Sequence, residues 1–205
     1  MPVIRVSLLI LIISLAACST QPPMTPLSSS WQQHQQRIAK LEDWKLAGKL
    51  GFRTPEEGGS ASVNWTQKDS RYQLSLSGAF GIGGAKIIGD NKTAEMLYGE
   101  TIYRHSPQQL AMQLTGLPLP VDALSWWARG LPSPTQSAVT NLATGADGLA
   151  SGFEQAGWQL LFSRYRETGG EILPGKITGT YNLASEDRSY SFKLVISSWK
   201  YHKEE

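Results

Sequence analysis

Between residues 44 and 199 large apolar side chains return at every second position, in short runs divided by turn-forming residues. In WKLAGKLGFR, residues 44–53, Trp44, Leu46, Leu50 and Phe52 fall on one face and Lys45, Lys49 and Arg53 on the other. A period of two is that of a β-strand, and one apolar face with one charged face marks a strand half buried in an antiparallel sheet. Ala61, Val63 and Trp65 repeat the pattern, QKDS turns the chain, and Tyr72, Leu74 and Leu76 repeat it again. Further strands are predicted at 85–88, 95–99, 102–104, 158–165, 176–183 and 190–199, with GDNK, ETGGE and ASEDR as turns. So many short strands at this spacing specify one antiparallel sheet that curls into a barrel or sandwich.

The period changes in two regions. Trp31, His34, Ile38 and Leu41 recur at helical spacing behind Ser28, Ser29 and Ser30, any of which can cap, so residues 31–41 form a short amphipathic helix. Ser106 and Pro107 supply a cap and a proline at the first helical position, and Leu110, Ala111 and Leu114 follow before Gly116. After LPLP a second short helix covers residues 121–129 and stops at Gly130-Leu131-Pro132. Leu124, Trp126 and Trp127 make it apolar around much of its circumference, so it must lie against an apolar surface such as the concave face of a curled sheet. Residues 136–152, poor in large apolar side chains, read as an irregular loop.

The N-terminus carries a different signal. Arg5 is the only charge ahead of an apolar run at residues 6–15, and Ala16 and Ala17 then precede Cys18. This is the layout of an export signal, so residues 1–17 are expected to be cleaved. The run is too short to cross a bilayer, which takes about 20 residues. Cys18 is the only cysteine, so no intramolecular disulfide forms. Leu15-Ala16-Ala17-Cys18 resembles the lipobox of bacterial lipoproteins, in which the thiol takes a diacylglyceryl group and the new N-terminus is acylated. By that resemblance Cys18 is the lipid anchor. Ser19, where Asp would favour inner-membrane retention, points to the outer membrane, with the protein facing the periplasm. Residues 18–30 read as the lipidated N-terminus and a flexible tether, QPPMTPLSSS being rich in Pro and Ser. Residues 31–205 are one domain's worth of chain.

The formal net charge is +2 with Arg5 counted, so the mature chain is near neutral and no nucleic-acid partner is implied. Residues 170–176, GEILPGK, have the spacing of a phosphate-binding loop, but Ile177 stands where Ser or Thr belongs and a strand, not a helix, follows. A hairpin loop is the better account. GAFGIGGAK fails the dinucleotide fingerprint in the same way. His34, His105 and His202 are scattered, so no metal site is expected. His34, on the apolar side of its helix, reads as a packed, hydrogen-bonded side chain. No G-x-S-x-G elbow is present. Neither catalysis nor a cofactor is expected.

Seven tryptophans, at 31, 44, 65, 126, 127, 158 and 199, mostly fall on the inward faces of these strands and on the central helix. Some of them serve as core. The functional reading is that bulky rings wall an apolar cavity large enough for acyl chains. The cavity and lid candidates are Trp44, Leu50, Phe52, Trp65 and Trp158 on strands and Leu124, Trp126 and Trp127 on the central helix. A purely structural or assembly role without a cavity is the alternative.

WQQHQQRIAKLEDWKLAGKLGFR, LTGLPLPVDALSWWARGLP and YSFKLVISSW, together with the lipobox, are similar to the LolB family of outer-membrane lipoproteins. The resemblance implies an incomplete, half-open antiparallel barrel, mainly β with short helices, whose helical lid, about residues 106–131, covers an apolar cavity. It also implies the activity: taking triacylated lipoproteins from the periplasmic carrier LolA and incorporating them into the outer membrane. The chain is expected to act as a monomer. The family carries a protruding loop with an apolar tip next to Gly, and here that tip falls on Phe80 before Gly81, in SLSGAFGIGGAK. Members commonly show Pro and Leu where this chain has Ala79 and Phe80. The implied role of Phe80 and Gly81 is to enter the membrane.

Overall fold

The computed structural model describes residues 27–78, 84–183 and 188–201. The export segment, Cys18 and the loop tip at Phe80 and Gly81 lie outside the described residues.

Helix α1 (Leu27–Ala39) leads into strands β1 (Asp43–Arg53), β2 (Gly58–Lys68), β3 (Arg71–Gly78), β4 (Ala85–Gly89), β5 (Ala94–Tyr98) and β6 (Thr101–His105). Helices α2 (Pro107–Thr115) and α3 (Val121–Ala128) follow. The chain returns through β7 (Thr140–Thr144), β8 (Ala150–Gln155), β9 (Trp158–Ser163), β10 (Arg166–Thr168), β11 (Glu171–Leu173), β12 (Lys176–Leu183) and β13 (Arg188–Tyr201). Eleven strands form one sheet in the order β6-β5-β4-β3-β2-β1-β13-β12-β9-β8-β7, with β10 and β11 as a separate hairpin. The first and last strands, β1 and β13, pair antiparallel at its centre. β6 and β7 remain as edges, so the antiparallel sheet is open and not closed into a barrel, in line with the half-open barrel that the resemblance implies.

Register turns the alternation into rows. Trp65 stands opposite Leu46 on β1 and Leu74 on β3, and Leu46 stands opposite Trp199 on β13. Such rows gather the apolar side chains on one face, where Trp127, Leu110 and Ile38 of the helices join them in a single core.

β13 breaks the period. Phe192, Leu194 and Ile196 are even-numbered and Trp199 is odd, yet all four are buried. Ala47 is opposite Ser198 while Gly48 is opposite Ile196, which leaves Ser197 as the extra residue of a β-bulge. The Ser197 hydroxyl donates to the Ala47 carbonyl at 2.9 Å. Opposite the bulge only glycine fits, because a Cβ on Gly48 would lie 2.4 Å from the Val195 carbonyl oxygen.

Helix α2 has the ends its sequence predicts. The Ser106 hydroxyl accepts from the Gln109 N–H, the Gln109 side chain accepts from the Ser106 N–H, Pro107 opens the helix and left-handed Gly116 closes it. Three expectations need correction. Helix α1 begins at Leu27 rather than residue 31, so Leu27 and the serines after it are helical. Residues 136–152 are not irregular throughout, since they contain β7 and the start of β8. Every residue of β7 is exposed, so this edge strand is held by backbone pairing to β8 and leaves no apolar trace in the sequence. Residues 170–176 contain β11, and only Gly169 and Gly170 turn the β10–β11 hairpin.

Candidate functional site

Helix α3 lies over the apolar face of the sheet and encloses a cavity of about 90 Å³. Its floor is Leu50 of β1, Val63 and Trp65 of β2, Leu74 and Leu76 of β3, Ile177 of β12, and Phe192 and Leu194 of β13. Leu119, Leu124, Trp127 and Ala128 close it from above. No polar side chain takes part in this lining. A second space of about 50 Å³ lies under the N-terminal end of α3 and shares Trp65, Leu74 and Leu124 with the first. Those three side chains stand between the two spaces, and the second also takes in polar groups, among them Gln67, Asp90, Asp122 and Ser125.

The helix is held by a few polar contacts around this apolar space. The Trp127 indole donates to the Gln155 side-chain oxygen at 2.9 Å. Gln155, buried on β8, also accepts from the Ser133 N–H at 2.8 Å and donates to the carbonyls of Ser133 and Ser137 at 2.8 and 3.0 Å. The Trp158 indole donates to the Pro118 carbonyl at 3.3 Å and so fixes the segment entering α3.

At the other end of α3, the buried Arg129 guanidinium donates to the carbonyls of Ile38 at 3.0 Å, Ala39 at 3.4 Å and Leu41 at 2.8 Å. Ile38 and Ala39 close α1 and Leu41 lies just past it; the Ile38 carbonyl also accepts from the Leu41 N–H at 3.1 Å, and a cation is favoured at a helix C-terminus. The same side chain stacks on Trp126, 4.7 Å from the ring centroid. Burial lowers the Arg129 pKa to about 10, opposed by the Glu42 carboxylate, and the group remains a cation at neutral pH.

The candidates from sequence divide accordingly. Leu50, Trp65, Leu124 and Trp127 line the cavity. Trp44 lies at one end of the core, its ring 5.1 Å from that of Trp65 and 5.3 Å from that of Trp199. Phe52 covers Gly59 on the neighbouring strand, as aromatic rings do over strand glycines. Trp158 is fully buried between Tyr181 and Phe192, and Trp126 supports Arg129. These four stand behind or beside the lining. Val63, Leu74, Leu76, Ile177, Phe192 and Leu194 were not singled out from sequence, although they occupy inward positions of the same alternating strands. His34 packs beside Trp31 as expected, but its Nδ1 is buried without a hydrogen-bond partner.

Two larger depressions, of about 470 and 510 Å³, lie elsewhere on the sheet and include charged side chains such as Arg71, Asp90 and Glu95 in one and Glu154 in the other. Among the described residues no group of three or more His, Cys, Asp or Glu could hold a metal ion. Among the same residues no helix is long and apolar enough to cross a membrane.

The family model described as "Outer membrane lipoprotein LolB" matches residues 42–199. The chain belongs to the LolB family. An outer-membrane lipoprotein LolB from Cellvibrio japonicus is 36% identical over 192 residues, covering 91% of both chains. Another LolB, from Pseudomonas paraeruginosa, is 34% identical over 175 residues, 84% of this chain and 82% of its own. Membership makes the chain a lipid-anchored protein of the outer membrane. Two solved structures share the LolB fold at low identity. A LolA superfamily protein from Nitrosomonas europaea has a TM-score of 0.54 at 9% identity, over 87% of this chain and 94% of that one. A DUF1329 family protein from Desulfovibrio piger has a TM-score of 0.51 at 10% identity, over 86% and 93%.

Proposed function

We propose that this protein receives triacylated lipoproteins from a periplasmic carrier of the LolA type, holds their acyl chains beneath α3, and incorporates them into the outer membrane. The observation that carries the reading is the wholly apolar cavity enclosed between α3 and the sheet. At about 90 Å³ it is far smaller than the roughly 300–1,000 Å³ of ordinary ligand sites, so accepting an acyl chain requires α3 to lift. Helix α3, with α2 before it, is then a lid. The bonds from Trp127 to Gln155 and from Trp158 to Pro118 are the contacts that lifting breaks or stretches.

A triacylated cargo exposes some forty or more CH2 groups, so at about 0.8 kcal/mol each its release into water costs tens of kcal/mol. Transfer must therefore run directly from one apolar cavity to the next. Differential affinity between hosts sets the direction without a nucleotide. On this reading Cys18 carries the anchoring lipid, and Phe80 beside Gly81 enters the bilayer surface when cargo leaves.

The test is to mix the chain lacking residues 1–17 and carrying Cys18→Ala with carrier loaded with lipoprotein. Cargo should pass to it at equilibrium, and its retention on the carrier defeats the reading. Binding of an apolar fluorescent probe, displaced by fatty acid, separates this function from a purely structural role.

A further inference from the structure

The side of the sheet turned away from the helices is a basic surface. On the three central strands its outward positions carry Lys45, Lys49 and Arg53 of β1, Lys176 of β12, and Lys193 and Lys200 of β13, against the single carboxylate of Asp43. Among the described residues none of the six cations is in a salt bridge. Lys45 and Lys200 are direct cross-strand partners, and Gly51 and Thr178 flank Lys193 so that it lies diagonal to Lys49 and Lys176. Like charges placed opposite one another weaken a sheet, so this arrangement contributes nothing to folding. The net charge of +2 conceals it, because carboxylates elsewhere in the chain offset the cluster; towards the edges of this face stand Glu95, which pairs with Arg104, and Glu154.

The same face ends, on β4 to β6, in three uncovered aliphatic side chains: Ile88, Leu97 and Ile102, 51%, 44% and 54% exposed. Leu97 and Ile102 are cross-strand partners and Lys86 stands on the other side of Leu97. We propose that this outer face is a docking surface for an anionic lipid bilayer. Three observations select lipid over an acidic protein. Five of the six central cations are lysines, compact charges suited to a diffuse anionic surface, where arginine would supply the fork that pairs with individual carboxylates. They are spread along three adjacent strands, about 4.8 Å apart, over an open sheet face rather than gathered in a pocket. Exposed aliphatics beside lysines suit the headgroup boundary, which takes the first into its apolar side and attracts the second.

Docked in this way, the anchored protein rests with α2 and α3 turned to the periplasm, the side from which a carrier arrives. The surface bears on the cargo reading but does not depend on it.

The mature, acylated protein is reconstituted into vesicles whose acyl chains carry a fluorescence quencher. A fluorophore is placed through Asn64→Cys on the outer face of β2 or through Gln113→Cys on the exposed side of α2, both positions being solvent-exposed. With phosphatidylglycerol present and about 0.1 M salt, the label at 64 is expected to be quenched several-fold more than that at 113. The contrast should vanish near 1 M salt, where screening shortens from about 10 to about 3 Å. It should also vanish in phosphatidylcholine alone and in the combined variant Lys49→Gln, Lys176→Gln, Lys193→Gln. Equal quenching at the two positions, or a contrast indifferent to salt and lipid charge, overturns the proposal. So does a label at 64 that responds only to an added acidic protein. Cargo transfer is not read by this measurement, so either reading can fail alone.

Discussion

The Trp127 indole on α3 donates to the side chain of Gln155 on β8, 28 residues along the chain, at 2.9 Å. This is the one polar tie between the helix over the cavity and the sheet beneath it that runs side chain to side chain among the described residues. Because Gln155 also serves Ser133 and Ser137, one amide ties both the helix and the loop that follows it to β8.

Gln155→Leu should therefore cost about 3 kcal/mol or more in urea unfolding, since it leaves several buried donors and acceptors without partners. Trp127→Phe removes one donor and leaves Gln155 its other contacts, so it should cost about half as much and raise the rate at which an apolar probe enters the cavity.

Arg129→Met should destabilise the domain by about 3 kcal/mol, because the carbonyls of Ile38, Ala39 and Leu41 lose their buried donor. Hydrogen exchange should show the loss concentrated in α1. Arg129→Lys should recover only part of it, a single ammonium being unable to reproduce the guanidinium fork.

Trp65→Ala should enlarge and connect the two spaces of about 90 and 50 Å³ that its side chain lines. Stability should fall by roughly 2 to 4 kcal/mol as a large core side chain is lost. Fatty-acid affinity, measured by probe displacement, should rise, since less movement of α3 is then needed to admit a chain.

His34 gives the domain a pH dependence. Burial, and then the nearby Arg37 cation, hold its pKa below the usual 6.5, with Glu171 and Asp147 opposing. The unfolded chain thus binds the proton more readily. The neutral form supports the fold fully above about pH 6.5, and that support is lost as pH falls through the depressed folded value. His34→Phe should flatten this slope in unfolding measured from pH 7 to pH 5.

Phe80→Glu should leave cargo uptake from the carrier intact and block insertion into liposomes, as measured by separating the two steps. Equal loss of both counts against a membrane role for that side chain.

The period-two pattern made most of the sheet legible, because a strand with one buried face cannot change register without exposing it. It put Leu50 and Trp65 on the cavity side, and the caps of α2 were readable from Ser106, Pro107 and Gly116. β7 was not readable, having no buried side to leave a pattern. Nor was the Ser197 bulge, whose cause is the close approach of Gly48 on a strand some 150 residues earlier. Ring size was a poor guide to the lining: Trp44 and Trp158 lie at positions the cavity does not reach, while Val63 and Ile177 lie at its walls. Gln155 and Arg129 are single polar letters whose meaning lies in partners 18 to 91 residues away.

The two unpaired edges, β6 and β7, bear on how much the protein can hold. A closed barrel has a girth dictated by its strand number and stagger, and nothing short of breaking a ladder alters it. Here no ladder closes the ring, and ten strand pairings lie between the edges. A small change of twist at each would add up across the sheet, as in a leaf spring clamped at the β1–β13 pairing. On the proposed cargo-holding function, capacity would then follow from bending, and cargoes of different bulk would be accommodated without any side chain on the floor being replaced.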